Sequence, residues 1–164
     1  MSSIIRGDDN LDSATVSKEF SQSRIYVDGA VTGLPSTNTR IARFANTVQS
    51  IGSDITYTDS ASLGCKFVIN TAGVYNVGYT AVFGAAAWYG ISLNSTQLST
   101  YINSITPPED RIAVSFTSAL NVVNQVSVSY RFAAGDVVRA HLGNGVVTTA
   151  TGRAGTAFTI ERIS

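Results

Sequence analysis

Charged residues are scarce in this chain of 164 residues: Asp, Glu, Lys and Arg make up 13% of it, and eleven basic residues balance eleven acidic ones. Ordinary soluble domains contain about 25% charged residues. A nucleic-acid-binding protein shows a basic excess, so the balance argues against that class. The basic residues comprise nine Arg and only Lys18 and Lys66. Because Arg is favoured over Lys at protein interfaces, this composition favours contact with other chains.

Three further absences restrict the location of the protein. Cys65 is the only cysteine, so no internal disulfide can form. No run approaches 18 apolar residues, and we expect no membrane span. The opening residues "MSSIIRGDDNLDS" lack the charged and apolar regions of a signal peptide. The sequence therefore predicts synthesis in the cytoplasm without entry into the secretory route.

Residues suited to catalysis are also few. His141 is the only histidine, and any Ser-His-Asp or Cys-His site would have to use it. It lies in a predicted strand next to a turn, where a structural role is far commoner. Cys65 borders an apolar strand and is predicted to be a packed thiol. No zinc-ligand spacing or phosphate-binding glycine loop is present. We therefore expect a non-enzymatic protein without a cofactor.

Three short motifs are too weak to predict a function. Arg6–Asp8 is an Arg-Gly-Asp tripeptide, which is common by chance. Asp8–Glu19 spaces four oxygen ligands as a calcium loop does, but Ser13 replaces the glycine such loops need. Asn94 begins an Asn-Ser-Thr glycosylation acceptor, which requires a secretory route.

Alternating hydrophobicity predicts an all-β fold with many short strands, as in a sandwich or barrel. The clearest case is "GVYNVGYTAVF", which places Tyr75, Val77, Tyr79, Ala81 and Phe83 on one face of a strand. Similar alternation occurs in "WYGISLN", "RIAVSF", "QVSVSYRF" and "TAFTIERI", and turn residues such as "NTAG" and "AAGD" separate the segments.

The composition predicts two regions, an N-terminal arm at residues 1–38 and a head domain at residues 39–164. The first region is rich in charge, has few large apolar residues and ends in the turn-rich "TGLPSTNT". Such a segment cannot form its own core, so we expect it to dock on another surface. The segment "RIYV" within it is a candidate strand.

Three elements of the head resemble, in order, the complement-type globular heads and the tumour-necrosis-factor-like jelly rolls. They are "CKFVINTAGVYNVGYTAV", "VSVSYRFAAGDVVRAHLGNG" and "AGTAFTIERI". Phage fibre heads and bacterial spore-surface heads look alike in the same way. The resemblance covers about residues 40–164 and implies a jelly-roll β-sandwich that assembles as a homotrimer. Val77 stands where an aromatic is commoner, and residues 96–111 do not match the pattern.

The implied trimer accounts for the absence of Asp, Glu, Lys and Arg from residues 67–108, since a strand between its own core and a neighbouring subunit meets no water. The candidate residues for the trimer interface are Tyr75, Tyr79, Phe83, Trp88 and Tyr89. The alternative is a monomer whose surface is polar but uncharged.

We therefore predict a structural virion protein of a tailed bacteriophage: a trimeric capsid decoration (cement) protein or head fibre, made in the host cytoplasm and located on the capsid surface. Its arm would dock on the major capsid protein or another virion protein, with Ile4, Ile5, Arg6, Val16 and Phe20 as anchors. The alternative is a receptor-binding or glycan-binding head of a phage tail fibre or bacterial surface filament, with a host-surface glycan as partner. Neither nucleic acid nor membrane is expected as a partner.

Overall fold

The computed structural model describes residues 23–31, 34–119, 121–144 and 155–164, and these ranges form strands and short 3₁₀ turns. The strands are β1 (Arg24–Ala30), β2 (Phe44–Ile51), β3 (Ile55–Thr58), β4 (Lys66–Ile69), β5 (Gly73–Val82), β6 (Ala87–Leu93), β7 (Arg111–Thr117), β8 (Val123–Phe132), β9 (Val137–Leu142) and β10 (Ala157–Arg162). Two 3₁₀ turns, Ile102–Ser104 and Pro108–Asp110, lie between β6 and β7. No helix among the described residues could cross a membrane. The predicted all-β class is confirmed.

Two five-stranded antiparallel sheets pack face to face. Sheet A has the strand order β2-β1-β10-β5-β8, and sheet B has the order β3-β4-β9-β6-β7. Strands that are neighbours in a sheet are mostly distant in sequence, as in the pair formed by β1 and β10. This pattern of long-range pairing is typical of a jelly-roll sandwich rather than of a meander of hairpins.

The core lies between the sheets and is rich in aromatic side chains. On β5, Tyr75, Val77 and Tyr79 are buried as the alternation predicts, and Phe158 on β10 is buried beside them. Phe158 stacks on Phe67 of sheet B with ring centroids 4.5 Å apart. Burying one such side chain contributes roughly 1.5–3 kcal/mol, so these contacts between the sheets are a main source of stability.

The Ala-Gly-Asp element forms a hydrogen-bonded turn between β8 and β9. The Asp136 carboxylate accepts hydrogen bonds from the Ala133 backbone N–H (2.8 Å) and from the Asn94 amide (2.7 Å). The Asn94 side-chain oxygen accepts a third from the Val137 N–H (2.8 Å). Gly135 has a φ of +93°, which favours glycine. The element therefore has a structural role, and the Asn94 side chain is engaged in it.

Strand β1 requires the predicted domain boundary at residue 38 to be corrected. It pairs with both β2 and β10 and is therefore an interior strand of sheet A. Its Ile25 and Val27 are buried in the core. Removing β1 would expose this apolar surface, so the sandwich begins by Arg24, although the prediction assigned residues 1–38 to the arm. The strand predicted at "RIYV" is confirmed.

Candidate functional site

Four of the five side chains predicted for a trimer interface lie in the core of a single chain. Tyr75, Tyr79, Phe83 and Tyr89 are at most 1% exposed. They pack on one another and on other core rings, as in the edge-to-face contact of Tyr79 with Tyr89 at 5.8 Å. Side chains enclosed this completely offer no surface to a neighbour, so an interface role for these four is corrected to a core role.

The fifth candidate, Trp88, lies apart from the other four. It alternates with the buried Ala87 and Tyr89 along β6 and therefore points to the outer face of sheet B. There its half-buried ring packs against Phe116 of β7, with centroids 5.0 Å apart. The five predicted residues are thus not brought together in one surface.

One segment of the same chain lies across the outer face of sheet B. We call this segment, residues 94–110 between β6 and β7, the strap. It includes all but the last of the residues that did not match the family pattern, since Arg111 begins β7. Ile102 and Ile105 of the strap are 0% and 1% exposed although they lie outside the main core cluster. Gln97 closes the strap on itself by bonding to the backbone of Thr106.

His141 is buried beneath the strap. Its Nε2 lies 2.8 Å from the Thr100 carbonyl oxygen, so Nε2 has the proton and donates it. Its Nδ1, 3.1 Å from the Ser92 hydroxyl, then accepts from that hydroxyl. Burial is the main cause that lowers the His141 pKa to about 4, and the charges of Arg139 and Arg40 lower it further.

The Ser92–His141 pair has a structural role rather than a catalytic one. Ser92 is 1% exposed and His141 is fully buried, so a substrate cannot reach either group. The Nε2 proton is committed to a backbone carbonyl, and the neutral ring satisfies both of its nitrogens inside the protein. Cys65 is likewise fully buried, and burial raises the pKa of its thiol to about 12. A thiol in that state is a poor nucleophile.

The outer face of sheet A, by contrast, is open and contains a groove of about 540 Å³. Strands β5, β8 and β10 form the groove, and amide and hydroxyl side chains dominate its lining. The lining residues are Asn76, Val77, Gly78, Thr80, Gln125, Ser127, Val128, Ser129, Thr159 and Glu161. Only Glu161 among them is charged. We call this surface the sheet A groove.

Gly78 leaves space at the centre of the sheet A groove. A Cβ atom placed there would have the Gln125 amide nitrogen, 3.8 Å away, as its nearest neighbour. The residues on either side, Asn76 and Thr80, extend their side chains from the same face of β5. The missing side chain thus allows another backbone or a ligand to approach the strand closely.

The polar lining of the sheet A groove is suited to contact with another protein or with another polar surface. Interface cores are depleted of charged residues, and covering amides and hydroxyls is less costly than covering charges when hydrogen bonds replace the water. Ser129 already donates to the Asn76 side-chain oxygen at 2.6 Å, which fixes part of the wall. Among the residues that the structure describes, no group of three His, Cys, Asp or Glu side chains could hold a metal ion.

Sequence reasoning found the strands of this groove, but its interface candidates on β5 lie on the buried face instead. The alternation already placed Asn76, Gly78 and Thr80 opposite the tyrosines of β5. An uncharged polar row that faces away from a predicted core was the available indication. The predicted capsid anchors, Ile4, Ile5, Arg6, Val16 and Phe20, lie outside the described residues, as does the calcium-loop candidate.

Comparison with known proteins relates the fold alone to a family. No protein-family model and no curated protein matches the sequence. Among solved structures, the crystal structure of murine APRIL at pH 8.0 matches with a TM-score of 0.58 and 11% identity, over 87% of this chain and 99% of that one. The structure of murine APRIL at pH 8.5 matches with a TM-score of 0.56 and 10% identity over the same shares. The fold is therefore a sandwich of the tumour-necrosis-factor-like kind.

Proposed function

We propose that this protein is a non-enzymatic structural protein that associates with copies of itself through the sheet A groove. In its full form the proposal is a trimeric capsid decoration (cement) or head-fibre protein of a tailed bacteriophage, whose N-terminal arm docks on the major capsid protein or another virion protein. The fold supports the first part, because the family that the sequence resembles forms homotrimers. The phage assignment rests on the sequence arguments.

The observation that favours self-association is the contrast between the two outer faces. The strap covers part of sheet B, whereas sheet A is left with an open groove that Glu161 alone among its lining residues makes charged and that has a glycine at its middle. A surface meant only for water would be expected to contain more charge. An uncharged polar surface with room for close approach is typical of one that becomes buried in an assembly.

A second feature supports contact between copies. Apolar side chains are exposed on the two edge strands β7 and β8: Phe116 is 48% exposed on sheet B, and Val123 is 59% exposed on sheet A. Val123 lies on the same face of β8 as Gln125 and Ser127 of the sheet A groove, so a neighbouring copy that covers the groove can cover it as well. Burying Val123 would add apolar area to the contact at about 25 cal/mol per Å².

The test is the molar mass of the full chain in solution by light scattering, compared with the Gly78→Leu variant. We expect a mass near three chains for the natural sequence and a single chain for the variant, because the leucine fills the groove and its Cβ has only the Gln125 amide, 3.8 Å away, as a neighbour. Thr58→Leu is the matched control, since Thr58 is exposed in a strand of sheet B. It should leave the mass unchanged. A monomeric natural chain would refute the proposal.

The capsid role needs a separate measurement. Full chain and a chain that begins at Ser23 would be mixed with phage capsids that lack their decoration protein, and co-sedimentation would be measured. We expect the full chain to bind and the shorter chain to remain in solution with its oligomeric mass unchanged. Equal binding by both chains would show that the N-terminal residues are not the anchor.

The alternative, a receptor-binding or glycan-binding head, is favoured by the aromatic side chains around the strap. Tyr101 is exposed on the strap, and Trp88 and Phe116 form an accessible pair on the same sheet. Aromatic rings of this kind can stack on the apolar faces of sugars. Glycan-array binding that is lost in Trp88→Ala, together with no affinity for capsids, would favour this role over the structural one.

A further inference from the structure

Two basic side chains, those of Lys66 and Arg139, lie side by side on the outer face of sheet B, and Arg40 approaches the same sheet from the segment before β2. Arg139 alternates with the buried Val138 and Ala140 on β9 and so points outward. Phe67 is paired with Val138, which places the preceding residue, Lys66, beside Arg139 on the same face. We call Arg40, Lys66 and Arg139 the basic corner.

Arg40 reaches the same area from the segment before β2. Its carbonyl oxygen accepts from the Leu142 N–H at 2.8 Å, which fixes its backbone beside the end of β9. Its guanidinium lies 4.3 Å from the centre of the Tyr101 ring and donates to the Tyr101 hydroxyl at 3.3 Å. The charges of Arg139 and Arg40 both lower the pKa of His141, so both arginines act on the same buried ring.

These cations lack an anionic partner within the part of the chain that is described. The ion pairs found there join Arg43 to Asp59 and Arg162 to Asp54, and none involves the basic corner. Asp136, which lies just before β9, is already bonded to Asn94 and Ala133. Like charges held together without a counter-charge repel one another and are therefore costly.

Two buried nitrogen atoms add to this cost. The Nε atoms of Arg40 and Arg139 are shielded from water and have no hydrogen-bond partner. A buried donor without an acceptor costs about 1–3 kcal/mol. Burial is also the main cause that lowers the pKa of Arg139. The arrangement is thus unfavourable as it stands, and a bound anion would offset the repulsion between the like charges.

We propose that the basic corner binds an oxyanion: a carboxylate or phosphate group held by the guanidinium groups of Arg139 and Arg40 and by the Lys66 ammonium. Guanidinium groups bind such groups through paired, charge-assisted hydrogen bonds. The Tyr101 ring holds the Arg40 side chain on one side and restricts its freedom before binding. The site lies on sheet B and does not depend on self-association through the sheet A groove.

The experiment is a titration followed by the NMR signals of the arginine Nε–H groups in the full chain. The probes are inorganic phosphate, glucuronate and, as a neutral control, glucose, all at constant ionic strength. We expect saturable shifts of the Arg139 and Arg40 signals with one or both anions and none with glucose. Binding of phosphate alone would indicate a phosphate-bearing ligand, and stronger binding of glucuronate would indicate an acidic sugar.

Variants separate a specific site from general charge attraction. Arg139→Gln should weaken binding about tenfold or more, because it removes charged hydrogen bonds, and Lys66→Gln should weaken it less. Arg131→Gln is the matched control: Arg131 is an exposed arginine on β8 of the other sheet. Thermal unfolding should show that Arg139→Gln is at least as stable as the natural chain. Unsaturable shifts, or equal losses in Arg139→Gln and Arg131→Gln, would overturn the proposal.

Discussion

The two sheets of this sandwich share one core but differ in how their outer faces are covered. The outer face of sheet B is overlaid by the strap, which buries Ile102 and Ile105 and encloses a neutral histidine. The outer face of sheet A retains an open groove lined by amides and hydroxyls. Charge is scarce where the strap lies on sheet B, because it buries neutral side chains, and in the sheet A groove, where Glu161 is the only charged residue among those that line it.

This difference shows that low charge has two structural causes in one chain. On sheet B, the side chains that the strap buries are neutral, as Ser92 and His141 are, because a buried charge would be costly. On sheet A, the same lack of charge leaves a surface that nothing in the described part of the chain covers. Only the second case calls for a partner, and for that reason the sheet A groove, rather than the aromatic stretch as a whole, is the candidate interface.

The largest expected effect comes from weakening the strap. Ile102→Ala removes a fully buried side chain and should lower the free energy of unfolding by about 2–4 kcal/mol. Val48→Ala is the control, because Val48 on β2 is 49% exposed and its truncation should change stability by less than about 0.5 kcal/mol. Urea unfolding of the two variants measures both values. Equal, small losses would show that the strap contributes little and that the two faces are less different than described.

A second effect depends on pH and concerns the histidine under the strap. In the unfolded chain His141 takes up a proton near pH 6.5, whereas in the folded chain it does so only near pH 4. The contribution of neutral His141 to the free energy of unfolding is therefore fully present above pH 6.5 and is lost as the pH falls towards 4. The loss is about 3 kcal/mol, at 1.36 kcal/mol per pH unit. Urea unfolding at several pH values measures this slope.

His141→Gln provides the comparison for the pH effect. Glutamine can still offer one donor and one acceptor, but it does not titrate. The variant should therefore lose most of the pH dependence between 6.5 and 4, whatever its stability at neutral pH. An unchanged slope would mean that other groups cause it and that the strap does not hold His141 in its neutral form.

The sequence predicted the inside of the sandwich better than its outside. Alternation placed Tyr75, Val77 and Tyr79 on the buried face of β5, because period-two patterning follows directly from strand geometry. It did not show that Ile102 and Ile105 are buried, since they lie in irregular structure with no period. Strand β1 was only partly predictable. The alternation of Ile25 and Val27 in "RIYV" indicated a strand, but the charged residues around it suggested that it belonged to an arm.

The candidate site was the least predictable part for a physical reason. Whether an outer face is covered depends on where a distant loop runs, and residues 96–111 matched no pattern that would place that loop. The basic corner likewise combines a residue before β2 with residues of β4 and β9, which lie far apart in sequence. Such proximity comes from the strand order of sheet B, which local patterns do not determine.

The smallest predicted effect compares the two faces with one substitution, glycine to alanine. At Gly90 in sheet B a Cβ atom would lie 2.2 Å from the Ala113 carbonyl oxygen, whereas at Gly78 in sheet A its nearest neighbour is 3.8 Å away. Gly90→Ala should therefore destabilise the chain by about 1–3 kcal/mol. Gly78→Ala should stabilise an isolated chain by about 0.5–1 kcal/mol, because alanine loses less backbone entropy on folding.

The stabilisation by Gly78→Ala also reports on what covers the groove. If a neighbouring copy approaches Gly78 closely, the added methyl group weakens association while it strengthens the single chain. The gain measured by thermal unfolding should then shrink as the protein concentration rises, since association stabilises only the natural chain fully. A gain that is the same at every concentration would mean that no copy covers Gly78, and the contrast between the faces would then reflect only a polar surface that remains in water.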